Sequence, residues 1–340
     1  MAKRVGFLIA AVLTLSLFSG ASHAAQSFFE GKTVRIVVGF SAGGGFDTYS
    51  RAIARQLGKR IPGNPTVIVE NMPGAGSLIL ANHMFKVAKP DGLTIGNFHG
   101  YQILNQVVES PGVEFDARKF EWLGVPVQDT GACALTKASG ITSLEKWKEA
   151  NRPVKLGAIG PGDATYISAR ILKEVLGLPV QVITGYKGTS DIRIAAESGE
   201  VAGGCWQWES IKPTWRNALE TGDVMVVLQL IAKPHPELSK VPLALSLAKN
   251  DEERLLLKAA THDPNSITRP YSLSPGTPRD RVQLLRKAFM DTMKDAEFLS
   301  EARKSSLDLA PLSGEEVEGL VHGFFKIKPS LLSKLKEVLK

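Results

Sequence analysis

One phrase recurs along the 340-residue sequence and limits what it can fold into: a β-branched run, a glycine-rich loop, then a helical pattern. The first copy spans 34–57. Val34, Ile36, Val37 and Val38 read as a buried strand, Gly43-Gly44-Gly45 follow, and a helix starts near Asp47. Glycines at a strand-to-helix turn let a ligand approach the backbone with no Cβ in the way. The helix behind them offers unpaired N–H groups and a partial positive charge, so an anion is the natural guest. A plain tight turn is the bland alternative for one such loop. Asp47 reads first as a helix cap and second as a group facing the ligand.

The phrase returns. Thr66–Val69 leads through Glu70–Ser77 into a helix over 78–87, and a strand over 93–96 follows the turn Pro90-Asp91-Gly92. The pattern restarts with a strand over 155–159, the loop Gly160-Pro161-Gly162-Asp163 and a helix over 164–176. Val180–Ile183 then leads through Gly185–Ser190 into a helix over 191–198, with short strands at 201–205 and 224–229. Strands and helices alternating at these lengths predict parallel sheets covered by helices, in two α/β units. Ligands of open sheets sit at the carboxyl ends of the strands, where all these loops fall. The loops at 41–47 and 160–163 are therefore expected to face one cleft. The C-terminal third reads as packing helices over 279–294 and 315–339, broken at Pro329.

The glycines match neither common nucleotide fingerprint. No Lys-Ser or Lys-Thr follows them, and Phe46, Asp47 and Thr48 stand beyond Gly45 where G-x-G-x-x-G needs its last glycine. No CxxC, HExxH or clustered His/Cys pattern suggests a metal, and no cofactor is expected.

Residues 1–24 read as a secretory signal: Lys3 and Arg4, an apolar run over 5–18, and a small-x-small cleavage site at Ser22-His23-Ala24. The product is expected to be exported, and periplasmic in a Gram-negative cell. The formal charge of +7 suits either anionic small molecules or a bland basic surface, and no Lys/Arg run is dense enough for nucleic acid. Cys133 and Cys205 are the two cysteines. An oxidising compartment lets them pair, but a bridge between adjacent strands is geometrically demanding, and the sequence leaves the question open.

Three ordered blocks are similar to a known family. VRIVVGFSAGGGFDTYSRAIARQL, VIVENMPGAGS and AKPDGLTIG resemble the substrate-binding receptors of tripartite tricarboxylate transporters, the Bug family. The matching residues are Phe40, Ala42, Gly43, Gly44, Asp47 and Arg51, then Val69 to Asn71 and Pro73 to Gly76, then Pro90 to Gly92 and Thr94. AIGPGDATYISARIL, GYKGTSDIRIAAESGEVAGG and LSPGTPRDRV resemble later family blocks. Gly39, Met72, the aromatic segment Cys205–Glu209 and the segment 233–262 depart from the family pattern. The resemblance implies a two-lobed type II periplasmic-binding-protein fold, each lobe a mainly parallel sheet flanked by helices. The lobes are expected at 25–123 with 225–340, and at 124–224. It also implies capture of a small carboxylate (di-, tri- or aromatic) for delivery to membrane permease subunits, and the protein is expected to be a monomer.

The expected ligand contacts are Ser41, Ala42, Gly43, Gly44, Gly45, Phe46 and Asp47 from the first loop. Ser77, His99, Gly100 and Tyr101 follow from neighbouring strand ends. Pro161, Gly162, Asp163, Thr165 and Tyr166 come from the second loop, and Tyr186, Lys187 and Trp206 from later strand ends. Tyr166 reads equally well as packing, a lone His99 is more often structural, and Lys187 fits a solvated loop. Trp206 and Trp208 lie two apart, where they would share a strand face; core packing is the default and an aromatic ligand platform the sharper reading. The alternatives are an exported enzyme acting on a small anion and a carboxylate sensor with no part in transport. Ser77, His99 and Asp47 can be assembled into a triad on paper, but no G-x-S-x-G elbow supports it.

Overall fold

A computed structural model describes residues 28–339; the expected signal segment lies outside the described residues. Two separate sheets form. The first has six strands in the order β11-β4-β10-β3-β1-β2, where β1 is Thr33–Val38, β2 Thr66–Asn71, β3 Thr94–Asn97, β4 Glu121–Val125, β10 Tyr271–Leu273 and β11 Leu312–Ser313. The second has five in the order β7-β6-β8-β5-β9, where β5 is Gly131–Thr136, β6 Val154–Ala158, β7 Val180–Thr184, β8 Gly203–Gln207 and β9 Val224–Leu230.

Both sheets are buried on both faces. In β1, Val34, Ile36 and Val38 enter one apolar cluster and Val37 enters another on the opposite face. In β5, Cys133 and Leu135 enter one cluster while Ala132 and Ala134 enter another. A strand covered on both faces takes apolar side chains on both, which is why Ile36, Val37 and Val38 run on without alternation, while Arg35 nearer the strand start is exposed.

The α/β fold with two helix-flanked sheets is as expected, with a refinement. Only part of each sheet is parallel: β2-β1-β3 in the first and β7-β6-β8 in the second. The rest is antiparallel, through β10 and β11 in the first sheet and β5 and β9 in the second. The parallel part of each sheet carries the glycine loops.

The expected lobe boundary at 224/225 does not match the sheets. β9 pairs with β5 along its length, so the second sheet runs to Leu230. Residues beyond it, including Ala244, Leu256, Leu257 and Ala260, pack on the second core, and so does Leu335 from the C-terminal helix Pro329–Leu339. The chain reaches the first sheet again at β10. The sequence pattern hid this because helices carry no mark of which sheet they cover.

Cys133 and Cys205 face each other in the β5–β8 register and form a disulfide, with Cα atoms 4.0 Å apart. By closing a loop of 72 residues it should stabilise the second sheet by about 2–4 kcal/mol.

Four helices contribute residues to the site, α1 Gly45–Leu57, α3 Ala164–Arg170, α4 Thr189–Glu197 and α5 Trp208–Thr214, while α2 Leu78–Lys86 stays off its lining. No helix among the described residues is long and apolar enough to cross a membrane.

Candidate ligand-binding cleft

A narrow cleft with an internal cavity of about 20 Å³ lies between the carboxyl ends of the two sets of parallel strands. Phe40, Gly44, Gly45, Phe46 and His99 line it from the first sheet's side. Ile159, Asp163, Ala164, Thr165, Thr189, Trp206, Gln207 and Ser210 line it from the second. No lysine or arginine is among these residues.

The first glycine loop delivers α1 to the cleft by its N-terminus. Gly44 occupies the N-cap position and no side chain caps the helix. The N–H groups of Gly45 and Phe46 therefore have no intrahelical acceptor, and the helix dipole adds partial positive charge there. Gly43 turns the loop with φ +80°, a conformation that favours glycine. Gly45 is a close approach: an added Cβ would lie 2.9 Å from the Cα of Ser210, so α1 presses directly on α5.

Asp47 is not among the residues that line the cleft. It accepts hydrogen bonds from Gly43 N (3.0 Å), Arg51 Nε (2.9 Å) and Asn71 Nδ2 (3.1 Å). Burial pushes its carboxyl up, but Arg51, Gly43 and Asn71 together hold it below the usual carboxylate range. It is a brace that fixes the loop. Ser41, Ala42 and Gly43 also lie off the cleft lining. Ser41 instead ties the first loop to the entrance of α4, donating its N–H to Lys187 O (3.2 Å) and sharing a hydrogen bond with Ser190 Oγ (3.0 Å).

A second uncapped N-terminus arrives from the opposite sheet. Gly188 is the N-cap of α4, without a side-chain cap, and Thr189 lines the cleft. A Cβ at Gly44 would stand 3.1 Å from Thr189 Oγ1 and 4.0 Å from Ser190 N. The two helix ends thus converge on one point from two lobes.

The other glycine loop behaves differently. Asp163 caps α3: its Oδ1 accepts from Thr165 N (2.8 Å) and from Thr165 Oγ1 (2.5 Å). Thr165 Oγ1 in turn accepts from Ile159 N (2.9 Å). The donors expected to greet an anion here are consumed inside the loop. What remains is Asp163 Oδ2, buried and without a hydrogen-bond partner. Burial pushes this carboxyl up to about 6. Pro161, Gly162 and Tyr166 are not part of the lining; Gly162 O accepts from Asn105 Nδ2 (2.8 Å).

His99 lines the cleft, its ring packed against Phe46, Phe40 and Tyr101. Its Nδ1 accepts from Tyr101 N (3.2 Å), and burial lowers it to about 3, so the imidazole is neutral. Ser77 does not reach the cleft, because its Oγ accepts from His99 N (2.8 Å). With Ser77 so engaged and Asp47 tied to Arg51, the paper triad is not assembled. Gly100 and Tyr101 are backbone and core: Gly100 N donates to Thr268 O (2.7 Å), and Tyr101 Oη donates to Thr261 O (3.2 Å). Tyr186 is turned to Glu200 (2.6 Å), and Lys187 is exposed.

Trp206 lies at the carboxyl end of β8, lines the cleft and stacks on Trp215 with ring centroids 5.5 Å apart. Its Nε1 is buried and unpartnered. Trp208 does not share a strand face with it, since α5 begins there; its Nε1 donates to Glu237 (2.9 Å).

Two further features escaped the sequence. Phe40, Ile159, Ala164, Thr189, Gln207 and Ser210 are additional lining residues, all at or just beyond strand ends. A buried ionic cluster also sits where the chain passes between the sheets. Arg269 forms a two-pronged pair with Asp129 (Nε to Oδ2, 2.9 Å) and donates to Ser210 Oγ (3.1 Å). Glu209, beside Asp129, accepts from Thr130 N (2.8 Å), and burial with the Asp129 charge raises it well above the carboxylate range. Elsewhere His235, Glu237 and Asp308 approach within 4.8 Å, and the Lys212 ammonium bonds both carboxylates at 2.8–2.9 Å, occupying the place a cation would take.

Comparison with known proteins places this geometry. No family model matches the chain. A UPF0065 protein of Bordetella pertussis is 28% identical over 202 residues, 57% of this chain and 60% of that protein, so the chain spans less than two thirds of it. A second UPF0065 protein, from Cupriavidus necator, is 24% identical over 347 residues, 96% of this chain and 95% of the relative. UPF0065 is the Bug family. Among solved structures the chain is similar to the periplasmic binding protein BugD (TM-score 0.72, 22% identity, 91% of this chain and 98% of that one). It is also similar to MatC of Rhodopseudomonas palustris with bound malate (0.71, 21%, 92% and 100%). A second R. palustris protein, with adipate, follows (0.70, 19%, 91% and 97%). The structural neighbours are Bug and TctC-type periplasmic binding proteins rather than enzymes, and this chain has their fold.

Proposed function

We propose that this chain, built on the fold of the Bug periplasmic binding proteins, is an exported solute receptor that captures a small carboxylate between its lobes. It would act as a monomer and hand the ligand to the permease subunits of a tripartite tricarboxylate-type transporter, after cleavage behind Ala24. The observation that carries this reading is the convergence of two uncapped helix N-termini, α1 and α4, on one narrow cleft. Backbone N–H groups there supply partial charge without a lysine or arginine, and charge-assisted N–H bonds are each worth ~1.5–3 kcal/mol. Neighbours of the same fold with bound malate or adipate support a carboxylate as the class of ligand.

A thermal-shift screen of the purified protein against mono-, di- and tricarboxylates tests this. A ligand held at concentrations well above its Kd raises the melting temperature. Stabilisation by at least one carboxylate, with no chemical change in it after incubation, is the expected result. Turnover of the ligand would point instead to an enzyme, and stabilisation by none of the panel would contradict the reading.

A further inference from the structure

Two buried polar atoms on residues lining the cleft have no partner: the acceptor Asp163 Oδ2 and the donor Trp206 Nε1. Both side chains are 1% exposed. A buried polar atom without a partner is costly, and these two call for a partner that the described residues do not supply. The rest of the Asp163 environment is closed. Its Oδ1 is held by Thr165, whose hydroxyl is itself fully used. Its backbone O accepts from Ile167 N, and the neighbouring Asn105 amide is committed to Gly162 O and Gln102. Among the described residues no lysine or arginine pairs with it, and none lines the cleft. An anion alone would suit α1 and α4 but would be repelled by this carboxylate.

From this geometry we infer that the ligand is a carboxylate that also carries an ammonium group, with the carboxylate at the N-termini of α1 and α4 and the ammonium on Asp163 Oδ2. A further ligand oxygen accepts from Trp206 Nε1. The class is that of amino acids and other zwitterionic acids, and the inference rests on the carboxylate-receptor reading above. Position 163 would then set specificity: the buried carboxylate supplies the one full charge in the cleft lining, and the ligand supplies its counterion.

Calorimetric titration with matched ligands that differ at one carbon tests it. One set is succinate, L-malate and L-aspartate; others are adipate with 2-aminoadipate, and 3-phenylpropionate with phenylalanine. In whichever set binds, the amino acid is expected to bind about tenfold or more tightly than its counterparts. Asp163→Asn keeps a good N-cap for α3, so the fold should persist, as a circular dichroism melt would show. That variant is expected to lose the preference, with the amino acid weakened at least tenfold and the partner lacking nitrogen unchanged or tightened. Equal or tighter binding of succinate, malate or adipate by the native protein would overturn the inference and leave the carboxylate reading standing. A variant that weakens every member of a set equally would also overturn it. Binding of no member of any set would overturn both.

Discussion

Two glycine loops look alike in the sequence and end in opposite chemistry. Each leaves a parallel strand, carries glycines and an aspartate, and opens a helix that points into the same cleft. In the first loop Asp47 stands three residues beyond the N-cap Gly44 and folds back on the loop, where Gly43, Arg51 and Asn71 satisfy it. The helix end stays uncapped and offers donors. In the second loop Asp163 is itself the N-cap, so the helix end is closed and a carboxylate oxygen is left over. Moving one acid along the helix start converts an anion-seeking end into a cation-seeking one. The two acids shift in opposite directions accordingly, Asp47 below the ordinary carboxylate range and Asp163 up to about 6.

The contrast is sharpest in stability. Asp163 titrates higher in the fold than in the unfolded chain, where 3.8 is expected. Its charge therefore costs nothing below that value, and the cost grows as pH rises towards 6 and is complete above it. Asp163→Asn should make the ligand-free protein more stable at pH 7.5 by up to ~3 kcal/mol, with the gain vanishing near pH 3.5. Denaturant melts at both pH values measure this. A variant no more stable than the native protein at pH 7.5 would remove the buried, uncompensated charge from the account. Stability gained where binding is lost is the trade expected of a functional site.

Gly44→Val attacks the other side of the comparison. The added methyls would fill the space beside Thr189 Oγ1, between the two open helix ends. Affinity for the carboxylate found by the screen should fall by more than about a hundredfold, ~2.7 kcal/mol, with an unchanged far-ultraviolet spectrum. Unchanged affinity in calorimetry would make the first loop a plain turn.

Asp47→Ala should act with the opposite sign to Asp163→Asn. The carboxyl of Asp47 is held down, so its contribution is present above the unfolded value of 3.8 and is lost as pH falls through the folded one. The variant should lose about 1–2 kcal/mol at pH 7 and progressively less in acid, as Asp47 becomes protonated in the fold. Comparable losses at pH 7 and in acid would mean that Asp47 acts by packing alone.

Much of this architecture was legible. Val34, Ile36, Val37 and Val38 marked β1 and Gly43–Gly45 the entry to α1, because a strand buried on both faces is rich in apolar side chains and a close turn must lack one. The second sheet's parallel strands announced themselves in the same way. β10 and β11 did not: three and two residues long, they owe their place to the neighbours they pair with, not to any run of their own. The site was half legible. Strand ends predicted Gly44, Gly45, Phe46, His99, Asp163, Thr165 and Trp206 as lining residues. In the loop over 185–190 the prediction fell on Tyr186 and Lys187, whereas Thr189, just past the N-cap Gly188, is the residue that lines the cleft. Arg269 was invisible because its partner, Asp129, lies 140 residues away. No local pattern announces a buried pair, though breaking this one should cost about 3–5 kcal/mol, so Arg269→Met is expected to lower the melting temperature sharply.

The opposite character of the two loops is tested most directly by the titration of one carboxyl. Carbon-13 NMR of protein labelled at aspartate, with Asp163 assigned through Asp163→Asn, reads its ionisation in the free and ligand-bound states. The expected midpoint is near 6 without ligand, and it should drop by at least one unit when a zwitterionic ligand binds, because an ammonium beside Oδ2 favours the charged form. A midpoint near 3.8 in the free protein, or one that rises on binding, would contradict the opposite character of the loops.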